Sequence, residues 1–592
     1  MKNDNKVLKK IFFNSLTYYI MADLTTVVGP LVDSIIIANY FGVNAVAAVG
    51  LFAPSLMLVS IIENMVVGGG RWLYTHLVEN GEFEKANFVF TLSCILVIPI
   101  SLFITVFGII FASNIATFLG ANEVLRPYLV AYIRGYLPGI VFFSIAKVIN
   151  GFMSFEQDGN RPLLSLITMT VVNVVGDLFV VFVMKGSLFW VAIATSIGNL
   201  SCFLVLSGYF LRTERLFRFN FCEIKNVVKY TKDIFSMGSN TAVAHFSRMF
   251  SDLTVNYMLV AYASAVAIAA YSIQKSLMSL LGCVYLGVAD TVWLMSGIFY
   301  GEEDREALDE LQVHATKVGL KISIIVGIIV FIFSKYIAGL YIGFSDIEAL
   351  RCGTESVKMF AITLPIYVIV YSFDNYLISV KRIYHSNIYS FIMYFGTVVP
   401  TAFVLIKMIG PRGSWISTPI AALLSLIIAG ILIYTYKTNS NLFNIKRLLV
   451  PIEFGNYDGK VIEITADTVV EISGMSRIAG LFCQENNIDS VVANKLALCI
   501  EEIGTNIIEH GFKDGKDHEI NMRIAVKEKE IILRIRDDCV PFNPIERYKM
   551  KTKNDKDPTK NIGIRMVTGL CSSVNYICTY STNNLIMKIA IV

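Results

Sequence analysis

The residues whose types and spacing suit chemistry fall into two groups. The first is set inside long apolar runs. Asp33 interrupts the stretch 31–42, LVDSIIIANYFG, and lies within a segment, 12–40, that is nearly free of charge. Such a run is long enough to cross a hydrocarbon core of about 30 Å. An acid at that depth is costly enough that it usually lines a water-filled cavity and handles an ion or a proton. Asn173 and Asp177 stand four residues apart, on one face of a helix, and Thr195 sits in the following apolar run. Together these are two carboxylates, an amide and a hydroxyl, all oxygen donors suited to Na+ or a shared proton. Asp374 lies in a later run.

The second group lies near the C-terminus. In EEIGTNIIEHG, Glu502, Asn506 and either Glu509 or His510 recur at helical spacing, and an acid one turn before an amide suits water activation and Mg2+ held between phosphates. Asp537 and Asp538 follow a strand pattern and precede Cys-Val-Pro-Phe-Asn-Pro, a turn able to present a carboxylate to an amino group. Gly563 opens a helix pattern, where backbone N–H groups suit phosphate.

The elements that must position these residues follow from composition. Of 592 residues 55% are hydrophobic and 16% charged, and the mean hydropathy is +0.62, as in a polytopic membrane protein. Apolar runs fall near 12–40, 46–70, 86–112, 127–150, 162–184, 189–211, 233–262, 265–298, 317–340, 356–380, 386–408 and 414–436, about twelve spans. The net charge of +4 resides in loops, so no nucleic-acid partner is expected. Basic residues before the first span and between the sixth and seventh place both ends of this multi-pass protein in the cytoplasm by the positive-inside rule, and the expected localisation is the inner (cytoplasmic) membrane. No cleavable leader is expected. Ten cysteines are scattered without a C-x-x-C motif or a Cys/His cluster in sequence, so neither a zinc site nor a disulfide framework is expected.

The chain repeats itself. Ala45-Val-Ala-Ala-Val-Gly50, a span, then Gly81-Glu-Phe-Glu-Lys-Ala86 returns as Ala267-Ile-Ala-Ala-Tyr-Ser272, a span, then Gly301-Glu-Glu-Asp-Arg-Glu-Ala-Leu308. An offset of about 220 residues spans six helices, which implies two parallel lobes, 12–211 and 233–436, facing one another across a cavity.

With VDSIIIANYFG, NAVAAVG, NGEFEKA and GFMSFEQDGNRP in that order, residues 10–437 resemble the multidrug and toxic compound extrusion (MATE) family of cation-coupled exporters. That resemblance implies an all-α domain of about twelve transmembrane helices in two six-helix lobes, a small organic substrate, Na+ or H+ as coupling ion, and no ATP hydrolysis in the transport step. It also implies that Asp33, Asn173, Asp177 and Thr195 hold the coupling ion, and that Asp374 is a coupling-ion acid in the second lobe. In that second lobe Arg248 and Asp252, four apart, are expected to pair with each other. His245 is expected to pack as a hydrogen-bonded residue, and Gly68 to Gly70 to permit close helix approach.

After residue 436 the composition turns soluble: a linker at 437–458 leads into a domain at 459–592. Its pattern reads as strand 461–465, helices 469–486 and 490–510, strands 519–526 and 530–536, a polar loop to 560, helix 562–571, and strands 574–580 and 585–592. This is an α/β sandwich with a mixed or antiparallel sheet. The order helix-Glu/Asn, strand-Asp, long loop, Gly-helix resembles the GHKL (Bergerat) ATP-binding fold, and within it the anti-sigma-factor serine kinases. By that resemblance Glu502 is the base, Asn506 the Mg2+ ligand, His510 and Asp537 nucleotide-binding residues with Asp537 reading adenine, and Gly563 part of the phosphate lid. ATP and Mg2+ are the implied cofactors, and a cytosolic anti-anti-sigma-like (STAS) protein is the implied partner besides membrane lipid. Cys539 stands where that family has glycine.

The sequence shows no Gly-x-x-x-x-Gly-Lys-Ser/Thr run, which argues against an ABC-type pump, and no phosphoacceptor-histidine dimerisation helix before residue 461, which argues against an ordinary sensor histidine kinase. The expected function is a cation-coupled efflux transporter with an ATP-binding regulatory tail. The alternative is a membrane-anchored anti-sigma-type serine kinase whose spans act as a sensor, and a lipid or glycan-precursor flippase is a third reading.

Overall fold

In the computed structural model, the described residues are 6–79, 82–153, 160–211, 217–262, 265–342, 344, 347–437, 449–450, 454–455, 460–513, 518–539, 562–579 and 582–591. The loop 540–561, most of the linker, and the GFMSFEQDGNRP turn after Met153 lie outside them. The chain divides into two compact units. One comprises Leu16–Phe152 and Asn160–Phe454; the other is Gly455–Val592 together with Met1–Ser15 and Met153–Gly159.

The larger unit is helical, and the start of its first helix, up to Ser15, belongs to the other unit. Its chain order is α1 (Lys6–Phe41), α2 (Val43–Glu79), α3 (Phe83–Ile110), α4 (Ala112–Phe118), α5 (Arg126–Met153), α6 (Asn160–Phe179), α7 (Leu188–Ser207), α8 (Val227–Met237), α9 (Ser239–Tyr262), α10 (Ala265–Leu280), α11 (Gly282–Gly301), α12 (Arg305–Ile332), α13 (Ser334–Ile342), α14 (Ile347–Ser379), α15 (Ile383–Phe391), α16 (Val398–Ile409) and α17 (Gly413–Lys437). A π-helical turn, Val180–Met184, extends α6, and another, Ile392–Gly396, joins α15 to α16.

Among the described residues, ten helical stretches are long and apolar enough to cross a membrane. The longest, Ile383–Thr435, holds two helical passes turned at Gly410–Arg412. Helix α9 falls outside the ten because Asn240, His245, Arg248 and Asp252 dilute its hydropathy. These two features reconcile ten stretches with the twelve spans read from the sequence.

The repeat is visible in the helices themselves. Helices α2, α3 and α4 begin at Val43, Phe83 and Ala112, and α10, α12 and α13 begin at Ala265, Arg305 and Ser334. Each follows its counterpart by 222 residues (305 less 83, for example). Each lobe buries its own apolar clusters, one around Phe52, Leu129, Ile133 and Val191, another around Leu277, Val357, Phe360 and Leu364.

Between the lobes, small residues set the helix spacing, as expected where packing alone drives association. A Cβ on Gly69 of α2 would run into the Ile234 carbonyl of α8 and lie 2.8 Å from the Gly238 nitrogen. Backbone cannot swing aside as a side chain can. Gly69→Ala is therefore expected to push α2 off α8 and cost about 1–3 kcal/mol or more of stability. The check is a thermal melt in detergent, and an unchanged midpoint would refute the packing argument.

The smaller unit carries a five-stranded antiparallel sheet in the order β1-β2-β3-β5-β4: β1 (Val461–Ala466), β2 (Ile520–Val526), β3 (Glu530–Asp537), β4 (Ser573–Thr579) and β5 (Thr582–Ala590). Its helices are α18 (Val469–Glu485), α19 (Ser490–Gly511) and α20 (Ile562–Leu570). Thr468 caps α18 by accepting from the Glu471 N–H, while Glu471 reaches back to the Asp467 N–H, a capping-box arrangement. Asp489 caps α19 through the Val491 N–H. Period-two residues of β3, Ile531, Leu533 and Ile535, meet Leu496, Ile500 and Ile503 of α19 and Ile472 and Met475 of α18 in one core. The sheet is antiparallel throughout, which settles the mixed-or-antiparallel alternative.

Candidate functional site

The polar residues of the first lobe converge. Helix α6 lies against α7 because Gly176 meets Ala194 and Gly198 meets Asn173, at distances only a missing side chain permits. The Thr170 hydroxyl donates to the Thr25 carbonyl of α1 at 3.3 Å, fixing α6 on the first helix. The close approach lets the Asn173 amide donate to Thr195 Oγ1 at 3.1 Å. Asp33, on α1, lies beside Asp177 and Asn173.

Asp177 is fully buried, and among the described residues neither of its oxygens has a hydrogen-bond donor; nor does Oδ1 of Asp33. Two facing carboxylates cannot satisfy each other as acceptors alone. A bound cation or a shared proton resolves the conflict, and the amide and hydroxyl alongside complete an oxygen-rich cradle. The phenols of Tyr132 and Tyr136 on α5 lie within electrostatic reach of Asp33. Sequence reasoning missed them, although their i, i+4 spacing was visible.

Asp374 is built differently. Its Oδ1 accepts from Ser386 and its Oδ2 from Ser390, both at 2.7 Å, and Asn240 supports Ser386 at 2.7 Å. Both its oxygens therefore have donors, and it stands apart from the Asp33 cluster, in the other lobe.

The expected Arg248–Asp252 pair is a correction. Asp252 instead pairs with Lys275 of α10, and Arg248 lies over the Tyr394 ring at 5.7 Å. A lysine on a neighbouring helix outcompetes the same-helix arginine, which an i, i+4 rule cannot foresee. His245 is held by the Asn64 amide at 3.0 Å, as a packing histidine should be.

A second polar cluster went unread in the sequence. Arg71 of α2 stands 4.4 Å over the Trp293 ring of α11, Asp290 accepts from Asn375 of α14 at 3.0 Å, and Asp23 of α1 lies within electrostatic reach of Asp290. Asp23 was visible as a second acid in the first apolar run, ten residues before Asp33.

In the sheet unit, Asp537 is buried at the end of β3. Its Oδ1 accepts from the Asn583 amide at 2.6 Å and from the Cys539 N–H at 3.0 Å, and Tyr576 donates to Asn583 at 2.5 Å. Burial pushes the Asp537 carboxyl above the usual carboxylate range, against those bonds. Asn583 and Tyr576 position this acid and were missed, because strand residues so far along the chain give no signal at Asp537. Glu502 and Asn506 are half-buried on successive turns of α19, and His510 is exposed at its end. Gly563 faces Glu502 so closely that a Cβ there would strike the carboxylate. Glu502 and the start of α20 are thus neighbours, and the residue types fit a Mg2+-nucleotide: a helical acid and amide, a buried acid, and a helix opening with glycine.

Comparison with known proteins bears on both units. The MatE family model matches residues 19–179 and 241–404, more than half of the chain and both lobes. The chain belongs to the MatE family. A model of the histidine kinase-like ATPase domain matches residues 465–589, so this MatE protein carries a C-terminal domain of that kind. It is 25% identical over 442 residues to a protein of Bacillus subtilis named as a probable multidrug resistance protein, YoeA, covering 70% of this chain and 90% of that one.

Solved structures agree on the fold. An outward-facing multidrug resistance MATE transporter of the MOP superfamily superposes with a TM-score of 0.65 at 19% identity, over 73% of this chain and 97% of that one. A MOP superfamily transporter from Pyrococcus furiosus, described as having a binding pocket of reversed polarity, gives 0.64 at 20% identity, over 73% and 96%. As a MatE protein, the chain is an integral, multi-pass membrane protein.

Proposed function

We propose that this MatE protein expels small organic compounds in exchange for Na+ or H+ held between Asp33 and Asp177, and that its tail binds Mg-ATP and regulates transport. The observation that carries the first part is the buried Asp177 carboxylate, its oxygens without donors, beside Asp33. Asn173 and Thr195 complete the ion's oxygen set, and Asp374 is the second-lobe acid whose donors are already in place. Affinity that differs between the two states of the rocking lobes couples ion entry to substrate exit. The multidrug resistance named for the Bacillus protein supports an organic substrate. Basic residues such as Lys9 and Lys10 before the first span support cytoplasmic termini in the inner membrane.

In the tail, residues 437–458 serve as linker. Asp537 would read the adenine amino group, Asn506 would ligate Mg2+, Gly563 would face the phosphates, and His510 lies one turn past Asn506. Mg-ATP, if bound, would supply a transferable phosphoryl group, and Glu502 would accept a proton from an attacking hydroxyl. The serine-kinase reading with a STAS-like partner rests on that placement of Glu502 against Gly563. It predicts labelling of a partner serine that Glu502→Ala abolishes.

The deciding experiment is reconstitution in liposomes with a fluorescent organic cation inside and an imposed Na+ or H+ gradient. The gradient alone should drive efflux, with added ATP altering the rate. Efflux that requires ATP and ignores both gradients would overturn the transport reading.

A further inference from the structure

The β2–β3 hairpin brings His518 to two adjacent residues, Asp538 and Cys539, that lie 20 and 21 positions further along the chain. In the β2–β3 ladder Ile520 faces Asp537, and just beyond that end of the ladder His518 precedes one strand while Asp538 and Cys539 follow the other. His518 Nδ1 lies 2.9 Å from Asp538 Oδ1. These two atoms and the Cys539 Sγ all fall within 4.8 Å of one another. The site is interior: the side chains of His518 and Asp538 are 3% and 6% exposed, and Cys539 is 4% exposed.

The surroundings hold the three in place. Asp537 accepts the Cys539 N–H and fixes the turn that carries the thiol. The Phe512 ring lies 5.3 Å from the imidazole. Gly511, closing α19, leaves room for the sulfur, since a Cβ there would come within 2.8 Å of it. Lys10 pairs with the other oxygen of Asp538, and Oδ1 remains on the side of His518 and Cys539.

An imidazole nitrogen, a carboxylate oxygen and a thiol make a borderline-soft donor set. Ca2+ and Mg2+ demand oxygen alone, whereas Zn2+ and its neighbours accept all three. Bond lengths of about 2.0–2.3 Å put tetrahedral ligand atoms about 3.5 Å apart. The hydrogen-bonded pair at 2.9 Å is tighter than that and all three ligand atoms fall within 4.8 Å, so rotamer adjustments suffice.

We propose that His518, Asp538 and Cys539 form a three-ligand site for a divalent transition-metal ion of the Zn2+ class, with the fourth position left to water. The ion takes the place of the proton shared by His518 and Asp538, and Cys539 gives up its thiol proton to solvent as the metal–sulfur bond forms. It staples the turn that follows β3. The assignment is independent of nucleotide binding.

The test is Co2+ titration of the full-length protein in detergent, stripped beforehand with a chelator. One equivalent should bind with a thiolate-to-cobalt charge-transfer band in the near ultraviolet, and Zn2+ should displace it. The band should vanish in Cys539→Ser and in Cys539→Gly, persist in Cys222→Ser, and require at least about tenfold more Co2+ in His518→Ala. Thermal melts verify that each variant is folded, and the two Cys539 variants guard against one failing to fold. Absence of the band in the parent protein, or its survival in a folded Cys539 variant, would overturn the assignment.

Discussion

Asp33→Asn is expected to lower gradient-driven efflux about 5- to 150-fold, the span of a typical coupling free energy, while Mg-ATP binding by the same protein stays unchanged. The reason lies in the donors. An asparagine amide beside Asp177 would donate to an oxygen that now has no donor, so the demand for a cation or proton disappears while the shape of the site is kept. The transporter would still fold and still bind substrate, but its two conformations would no longer differ in ion affinity. Asp374→Asn is the contrasting variant. With Ser386 and Ser390 already serving both its oxygens, its effect on efflux should be several-fold smaller. Full gradient-driven efflux by Asp33→Asn would remove the ion-site assignment, and an equal loss in both variants would mean that the two lobes share the task.

The second large effect concerns the tail. Asn506→Ala should weaken Mg-ATP binding at least about 10- to 100-fold, read by calorimetry on the full-length protein. In the proposed site the amide offers a neutral oxygen a helical turn from Glu502, and alanine removes it without disturbing the core, which α19 builds from Leu496, Ile500 and Ile503 on another face. Gly563→Ala probes the same site by geometry, because its methyl group must displace the Glu502 carboxylate. If Asn506→Ala binds Mg-ATP as well as the parent does, the Mg2+ role belongs elsewhere. If the parent itself binds none, the cysteine in the Asp537 turn has disabled adenine reading, and the tail is a docking domain.

The sequence made some of this visible and concealed the rest for physical reasons. Strands β2 and β3 and helices α18 and α19 were legible to within about two residues, since caps at Thr468 and Asp489 and alternation at Ile531, Leu533 and Ile535 are local signals. The Asn173–Asp177 face was legible from helical spacing, but that Asp33 joins it depends on α1 packing on α6, a tertiary fact. Arg248 and Asp252 looked like a pair because only their own helix was visible; Lys275 arrives from another. His518 and Cys539 gave no sign, because a hairpin register and not a motif spacing brings them together. Asp23, Arg71 and Asp290 each looked like an isolated charge until three helices met.

The 222-residue offset between the lobes carries a consequence for how work is divided between them. Carried across by that interval, Asp33 corresponds to Val255, and the segment Ile383–Ile409 that answers to α6 contains no carboxylate at all. The helices are thus repeated in shape, while the facing carboxylates of Asp33 and Asp177 have no counterparts at the matching positions. The second lobe carries its charges elsewhere, at Asp252, Lys275, Asp290 and Asp374, so the two arms of the proposed exchanger are loaded at different points. A chimera built from two first lobes should accordingly fold as a pair yet demand two ions per cycle.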